Sequence, residues 1–254
     1  MRKQIKKIFD KFFWGQHPDA ALRYIPVVGA IKRAKLENSK ILEIGPGSLG
    51  IVPYLKRQID GIDIDFSGPQ TDLLVKTRGS ATELPFRKNA YDVTISVDLL
   101  EHLKQEERKK AIAEMLRVTK KLAIIVVPIG ELSQNQDEEL KFLWEKVFGA
   151  KNQFLSEHVE NGLPKADEIL VTIDKAARVL NKKVKIKSFP NLNLKVRKIL
   201  MRTWITKNRL IYYLYLKGYL LLLPILRLAN FGNCYRRVFV IELASHQHNF
   251  DDYN

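Results

Sequence analysis

Thiols are nearly missing from this sequence, which has one cysteine, Cys234, in 254 residues. A lone thiol excludes an intrachain disulfide, a multi-thiolate metal site and any mechanism that needs two catalytic thiols. Such scarcity is typical of proteins in a reducing compartment, so we expect a cytoplasmic location.

Histidine is scarce as well. None of the histidines stands at H-E-x-x-H or a similar ligand spacing with carboxylates, so the sequence does not indicate a metal. The residues are His17, His102, His158, His246 and His248.

Acidic residues are missing from one long stretch of the chain. After Asp174 none occurs until Glu242, and the lysines and arginines between them account for the whole net charge of +15. A basic excess favours an anionic partner, either nucleic acid or a membrane surface. Long aliphatic runs interleave with these basic residues, which favours a lipid interface over a nucleic-acid groove.

The start of the chain has the pattern of a basic amphipathic helix. Asp10 and Lys11 interrupt its apolar residues, so a secretory signal peptide is not predicted. The helix either packs over the sheet or docks on a membrane surface, since the pattern fits both. Its apolar face comprises Ile5, Ile8, Phe9, Phe12 and Phe13.

Residues 210–226 form a second apolar stretch, interrupted by Lys217, Gly218 and Pro224. Its length is at the lower limit for a membrane span. We expect a helical hairpin that lies in the membrane interface and bends at Gly218 or Pro224. A transmembrane helix and a helix pair buried in the core or in a dimer interface are the alternatives.

From Lys40 onward short apolar runs alternate with helical patterns, which favours an α/β fold with a mainly parallel sheet. Strands are predicted in ILEIG, DGIDID, LLVKTRGSA, YDVTISVD and KLAIIVVP. A helix is predicted in KQEERKKAIAEMLRVTKK, whereas the gap from Asp65 to Leu74 is too short for a crossover helix. Two further strands are predicted in VKIKSF and RRVFVIEL.

The first strand runs into a glycine-rich turn, with Gly45, Gly47 and Gly50 at G-x-G-x-x-G spacing. This spacing is typical of a dinucleotide site, but Glu43 brings a carboxylate to the place where pyrophosphate would bind. A carboxylate suits a cationic or amino-bearing ligand better. Asp63 ends the second strand, where an acid can accept hydrogen bonds from both hydroxyls of a ribose.

Four ordered segments, E-I-G-P-G, G-I-D-I-D, G-S-A-T-E-L-P-F and Y-D-V-T-I-S-V-D-L-L-E-H-L, span about residues 41–128. This set resembles the class I S-adenosylmethionine-dependent methyltransferases. Within that family it is most similar to the branch of quinone-biosynthesis and small-molecule methyltransferases. The resemblance implies a Rossmann-like fold with a C-terminal antiparallel strand, and S-adenosylmethionine as cofactor.

The resemblance also implies cofactor-binding roles for residues at the carboxyl edge of the sheet. The backbone of Gly45, Pro46 and Gly47 would approach the methionine portion, with Glu43 near its ammonium group through the loop or a water. Asp63 would bind the ribose hydroxyls, and Ile64 would lie against the adenine.

Two more positions of the family site are implied further along the chain. Ser80 stands where the family commonly has an aspartate, which leaves the Ala81 backbone and the Ser80 hydroxyl to contact the adenine. Val97 and Asp98 would face the cofactor at the end of the fourth strand.

Methyl transfer by in-line attack depends mainly on positioning and exclusion of water, so no catalytic side chain is required. If the acceptor is a hydroxyl, the candidate bases are His158 first, then Glu160 and His102. His102 also fits a helix-capping or core role.

We therefore expect a methyltransferase that acts on a small-molecule or lipid-linked acceptor, peripheral at the inner face of the membrane. The alternatives are an RNA methyltransferase that uses the basic C-terminal region and a non-catalytic membrane-associated scaffold. The chain is interpreted as one domain: a helical extension (1–35), a cofactor-binding core (36–190), a basic and apolar helical insertion (191–233) and a final strand (234–245).

Overall fold

The computed structural model describes residues 13–244, which form a seven-stranded sheet with helices on both faces. The strands are β1 (Ile41–Ile44), β2 (Ile59–Asp63), β3 (Leu74–Arg78), β4 (Tyr91–Val97), β5 (Thr119–Pro128), β6 (Lys183–Asn193) and β7 (Cys234–Ala244). The basic helix predicted at the start of the chain lies outside the described residues, apart from Phe13 and Trp14.

Six longer helices surround the sheet: α1 (Pro18–Arg33), α3 (Gln105–Val118), α4 (Glu131–Phe148), α5 (Gln153–Asn161), α6 (Ala166–Val179) and α7 (Leu194–Trp204). Shorter helices are α2 (Val52–Leu55), α8 (Arg209–Tyr213), α9 (Tyr219–Leu221) and α10 (Leu223–Leu226). A 3₁₀ turn occupies Leu100–His102, and a π-helical turn occupies Leu214–Gly218.

The sheet has the strand order β3-β2-β1-β4-β5-β7-β6. The first five strands are parallel, and β7 runs antiparallel to both β5 and β6, which confirms the predicted fold class. The connection from β2 to β3 contains no helix, as its short length predicts. The order of strands reverses between β1 and β4, and such a reversal opens a crevice at the carboxyl ends of the strands.

Each face of the sheet has its own apolar core. On one face Ile112 and Leu116 of α3 pack with Ile173 of α6. On the other face Val27 and Ile31 of α1 pack against the central strands. Because β4 and β5 are covered on both faces, nearly every side chain along them is buried, as the continuous apolar runs predict.

The apolar stretch 210–226 does not form a hairpin. Gly218 and Leu222, which join its short helices, keep right-handed helical dihedrals, so the turns follow one another in one irregular helical path. Tyr215, Leu220 and Leu223 are buried against α1, while much of the rest of the stretch is exposed. Within residues 13–244, no helix has the length and apolar character needed to cross a membrane.

Candidate active site

The loop after β1 is shaped by glycines in the left-handed region. Gly45, Gly47 and Gly50 have φ of 76°, 59° and 52°. A Cβ added at Gly50 would lie 2.1 Å from a carboxylate oxygen of Glu43, so only glycine fits there. A Cβ added at Gly47 would meet no atom within 4 Å. The loop is therefore closely packed at Gly50 and open at Gly47.

Glu43 holds this loop from below. Its side chain is fully buried, and its two oxygens accept hydrogen bonds from the Tyr24 hydroxyl and the Ile51 backbone N–H, both at 2.8 Å. Burial raises the pKa of the Glu43 carboxyl to about 7. Glu43 thus connects the glycine loop to α1. Any effect of Glu43 on a ligand would pass through the loop, which is one of the two routes expected from the sequence.

Asp63 and Ile64 lie beside the open part of the loop. One Asp63 oxygen accepts from the Gly47 N–H at 2.8 Å, and the other accepts from the Asp65 N–H at 3.2 Å. The Ile64 side chain is 68% exposed at the end of β2. An exposed aliphatic side chain next to a half-buried carboxylate offers an apolar surface and a hydrogen-bond acceptor to one ligand.

The turn after β3 joins the same edge, because the Gly79 N–H donates to the Asp63 carbonyl at 3.0 Å. Ser80 is exposed, and its hydroxyl pairs with that of Thr82 at 2.8 Å. Ala81 packs partly against the core. Pro46 is buried and therefore shapes the loop rather than offering its ring to a ligand.

Asp98, directly after β4, belongs to a buried ion cluster. Its carboxylate accepts from Arg23 of α1 and from Arg236 of β7, each at 2.6 Å. Arg236 also donates to Asp19 at 3.2 Å. Burial opposes ionisation of Asp98, but the two arginines hold the pKa of its carboxyl well below the ordinary value. The Val97 side chain is in the core. Direct contact of the Val97 or Asp98 side chain with a cofactor stays a prediction.

This Asp98 cluster was not predicted from the sequence. Arg23 lies 75 positions from Asp98, and Asp19 lies 217 positions from Arg236. Isolated charged residues of this kind carry no local pattern, so only the fold reveals the pairing.

The two histidines proposed as candidate bases meet beside this cluster, with ring centroids 4.8 Å apart. His102 Nδ1 lies 2.7 Å from a Glu157 oxygen, and His158 Nδ1 lies 2.9 Å from an Asp137 oxygen. Burial, together with His158, lowers the pKa of His102. The neighbouring Glu101 is fully buried, and burial raises the pKa of its carboxyl well above the ordinary value.

Glu160, the third candidate base, is exposed on α5 and lies apart from this group of side chains. Which of the three candidates acts as a base, if any, stays a prediction.

Comparisons with known proteins agree with this geometry. Residues 42–127 match the family model of a methyltransferase domain. The demethylmenaquinone methyltransferase of Renibacterium salmoninarum is 35% identical over 115 residues, which cover 41% of this chain and 44% of that protein. An uncharacterised protein of Haemophilus influenzae is 31% identical over 100 residues, covering 33% of this chain and 39% of that protein. The matches thus span less than half the length of either relative.

The structural comparison extends the likeness beyond the matched segment. A methyltransferase from Thermotoga maritima, described as S-adenosylmethionine-dependent and as a possible histamine N-methyltransferase, superposes with a TM-score of 0.53. It is 18% identical, and the superposition covers 88% of this chain and 90% of that one. Residues 42–127 thus resemble a methyltransferase domain, and the chain has the fold of the Thermotoga maritima protein.

The cofactor that this resemblance implies is S-adenosylmethionine, and the residues at the sheet edge fit it. The space beside Gly47 admits a ligand against the backbone, and Ile64 is exposed next to the Asp63 carboxylate. In the family arrangement these residues would hold the methionine portion, the adenine and the ribose hydroxyls in that order.

Proposed function

We propose that this protein transfers a methyl group from S-adenosylmethionine to a small-molecule or lipid-linked acceptor at the surface of a membrane. The methyltransferase domain and the open glycine loop support the transfer. The membrane location rests on one observation, the large apolar side chains that are exposed within residues 210–231.

We call these exposed side chains together the apolar surface, and each is at least 39% exposed. Monomeric soluble proteins seldom expose so many large apolar groups along one segment, and such patches mark contact sites for proteins or membranes. The surface comprises Leu210, Ile211, Tyr212, Tyr213, Leu214, Leu221, Leu222, Ile225, Leu228 and Phe231.

Positive charge borders the apolar surface. Lys207, Arg209 and Arg227 are exposed in or next to the same segment, and acidic residues are missing between positions 174 and 242. Each basic residue close to an anionic leaflet contributes about 1 kcal/mol to membrane binding. Apolar contact and charge therefore favour the same partner, an anionic lipid surface.

One helix connects the apolar surface to the candidate site. Tyr215 and Leu220 pack on Leu22 of α1, and the next residue of that helix, Arg23, contacts Asp98 at the end of β4. The segment that carries the surface thus packs on the same helix that contacts the end of β4. This arrangement supports an acceptor that is delivered from the membrane.

The proposed reaction follows from the chemistry of the cofactor. A nucleophilic atom of the acceptor attacks the sulfonium methyl group in line, a new bond to carbon forms as the carbon–sulfur bond breaks, and S-adenosylhomocysteine leaves. For a hydroxyl acceptor the proton would go to a base, and we propose His158 or His102 for this role.

One relative supports a lipid-soluble acceptor. The Renibacterium salmoninarum protein is named for demethylmenaquinone, a lipid-soluble quinone, although the match covers 44% of its length. A quinone is therefore the first acceptor to test within the class.

Flotation tests the membrane part of the proposal. The full chain is mixed at low salt with vesicles of phosphatidylcholine and phosphatidylglycerol and centrifuged in a density gradient. We expect the protein to float with the anionic vesicles and to release at high salt. Protein that stays in the soluble fraction at low salt would overturn this part.

Methyl-labelled cofactor tests the transfer. The protein is incubated with labelled S-adenosylmethionine and either a membrane lipid extract or total RNA, and the products are identified by mass spectrometry. We expect label in a lipid-extractable product, and none with Gly47→Val, whose side chain enters the open space beside the loop. Label in RNA alone would support the alternative function instead.

A further inference from the structure

Three side chains that can bind metal ions gather next to the Asp98 cluster. Glu101, His102 and His158 each offer one nitrogen or oxygen atom, and these atoms all lie within 4.8 Å of one another. Glu101 and His158 are buried, and His102 is half-buried. We call these residues the Glu–His–His group.

Carboxylates fix the tautomer of both histidines. Glu157 accepts from His102 Nδ1, and Asp137 accepts from His158 Nδ1, so each proton is placed on Nδ1 and each Nε2 keeps its lone pair. This is the pairing that carboxylates make with metal-binding histidines. Asp137 is itself held, since Arg197 and the Tyr235 hydroxyl both donate to it at 2.7 Å.

Three further polar atoms of the group have no hydrogen-bond partner among residues 13–244. They are His158 Nε2 and both carboxylate oxygens of Glu101, all buried. A buried polar atom without a hydrogen bond is unfavourable, so three together call for an explanation.

Neighbouring cations do not supply that partner. Arg108 donates to the carbonyls of Leu100 and Asn161 at 2.8 and 3.2 Å. Arg23 and Arg236 bind Asp98. Within residues 13–244, no lysine or arginine therefore donates a hydrogen bond to these three atoms.

We propose that Glu101, His102 and His158 bind a divalent transition-metal ion. Two imidazole nitrogens with one carboxylate suit Zn²⁺, Mn²⁺ or Fe²⁺, whereas Mg²⁺ and Ca²⁺ prefer oxygen ligands alone. Three protein ligands leave coordination positions for water or for an oxygen of another molecule, as in catalytic rather than structural sites. The inference depends on this geometry alone and does not require the proposed acceptor.

Metal binding can be measured without any assay of activity. The full chain is freed of metal with a chelator and titrated with Co²⁺, whose visible absorbance reports nitrogen coordination, and then with Zn²⁺ in competition. We expect one Co²⁺ per chain, displaced by one Zn²⁺. Zn²⁺ should also raise the unfolding temperature, because it binds the folded state.

Variants separate this site from adventitious binding. Glu101→Gln and His158→Gln should each weaken Co²⁺ binding by about 100-fold or more, and Glu157→Gln by about 10- to 100-fold through loss of its support for His102. Glu160→Gln, an exposed carboxylate on the same helix as His158, should bind as the wild type does. A variant with His246 and His248 both changed to Asn should also bind normally.

The unfolding temperatures of the metal-free proteins show whether each variant is folded. Folded Glu101→Gln and His158→Gln proteins that bind Co²⁺ with wild-type affinity would overturn the proposal. So would the absence of saturable Co²⁺ and Zn²⁺ binding to the wild type.

Discussion

The two sides of the candidate active site are built differently. On the cofactor side, the glycine loop, Asp63 and Ile64 come from short segments that follow consecutive strands, and Ile64 and the space at Gly47 are open. On the other side, the Asp98 cluster joins α1, the end of β4 and β7, and its charges pair with each other in a largely buried environment.

This difference indicates that one side mainly contributes to ligand binding and the other mainly to the stability of the fold. Polar groups that remain accessible can gain contacts from a ligand, so changing them mainly alters affinity. Charges that already neutralise each other inside the protein contribute to the folded state, and removing one leaves its partner buried and unpaired. The predictions below test this division.

The largest effect is expected at Arg236. Arg236→Met should lower the free energy of unfolding by about 3–5 kcal/mol, because Asp98 and Asp19 lose the cation that they share. Arg237 lies on the same strand, and its side chain donates a hydrogen bond to the Ser188 hydroxyl. Arg237→Met should therefore change the free energy of unfolding by about 1 kcal/mol or less. Denaturant unfolding measures both, and equal losses would contradict the distinction.

A smaller effect, on binding rather than folding, is expected at Asp63. Asp63→Ala should weaken S-adenosylmethionine binding by about 2–4 kcal/mol through the loss of two charge-assisted hydrogen bonds to ribose. Asp65→Ala, which removes an exposed neighbour, serves as the matched control. Calorimetric titration gives the affinities, and an unchanged value for Asp63→Ala would refute its role in the cofactor site.

Glu43 should produce a pH effect on stability. Its folded pKa of about 7 is above the reference value of 4.5, so the folded state holds the proton more tightly. Its contribution is therefore complete below about pH 4.5 and is lost as the pH rises through about 7, by up to about 3 kcal/mol.

Glu43→Gln has no titrating group at this position, while the other groups stay the same. The wild type should therefore lose more stability between pH 5 and pH 8 than Glu43→Gln does. Denaturant unfolding at the two pH values measures the difference, and parallel losses in both proteins would show that Glu43 titrates normally.

The smallest effect on folding is expected at the apolar surface. Ile225→Ser with Leu228→Ser should change the free energy of unfolding by about 0.5 kcal/mol or less per site, since both side chains are about two-thirds exposed. The same protein should float less with anionic vesicles. A large loss of stability would instead indicate that these residues are covered by protein contacts, such as those of a dimer.

Much of the fold was predictable from the sequence because its signals are local. The central strands β4 and β5 are buried on both faces and appear as apolar runs, and the glycine loop carries its own backbone requirement at Gly50. Asp63 was predictable for the same reason, since the end of a strand fixes where the next side chain lies. The resemblance of these segments to a family then assigned a cofactor to the edge that they share.

Only the folded chain shows which residues that are distant in the sequence lie next to each other. The sequence did not decide whether the apolar run 210–226 is buried or exposed. In the fold some of its side chains are buried against α1 and others are exposed. His102 and His158 carry no ligand spacing in the sequence, yet the fold brings their rings to 4.8 Å. The physical reason is the same in both cases: apolar contact and Coulomb attraction depend on distance in space, and the sequence between two residues does not contain that distance.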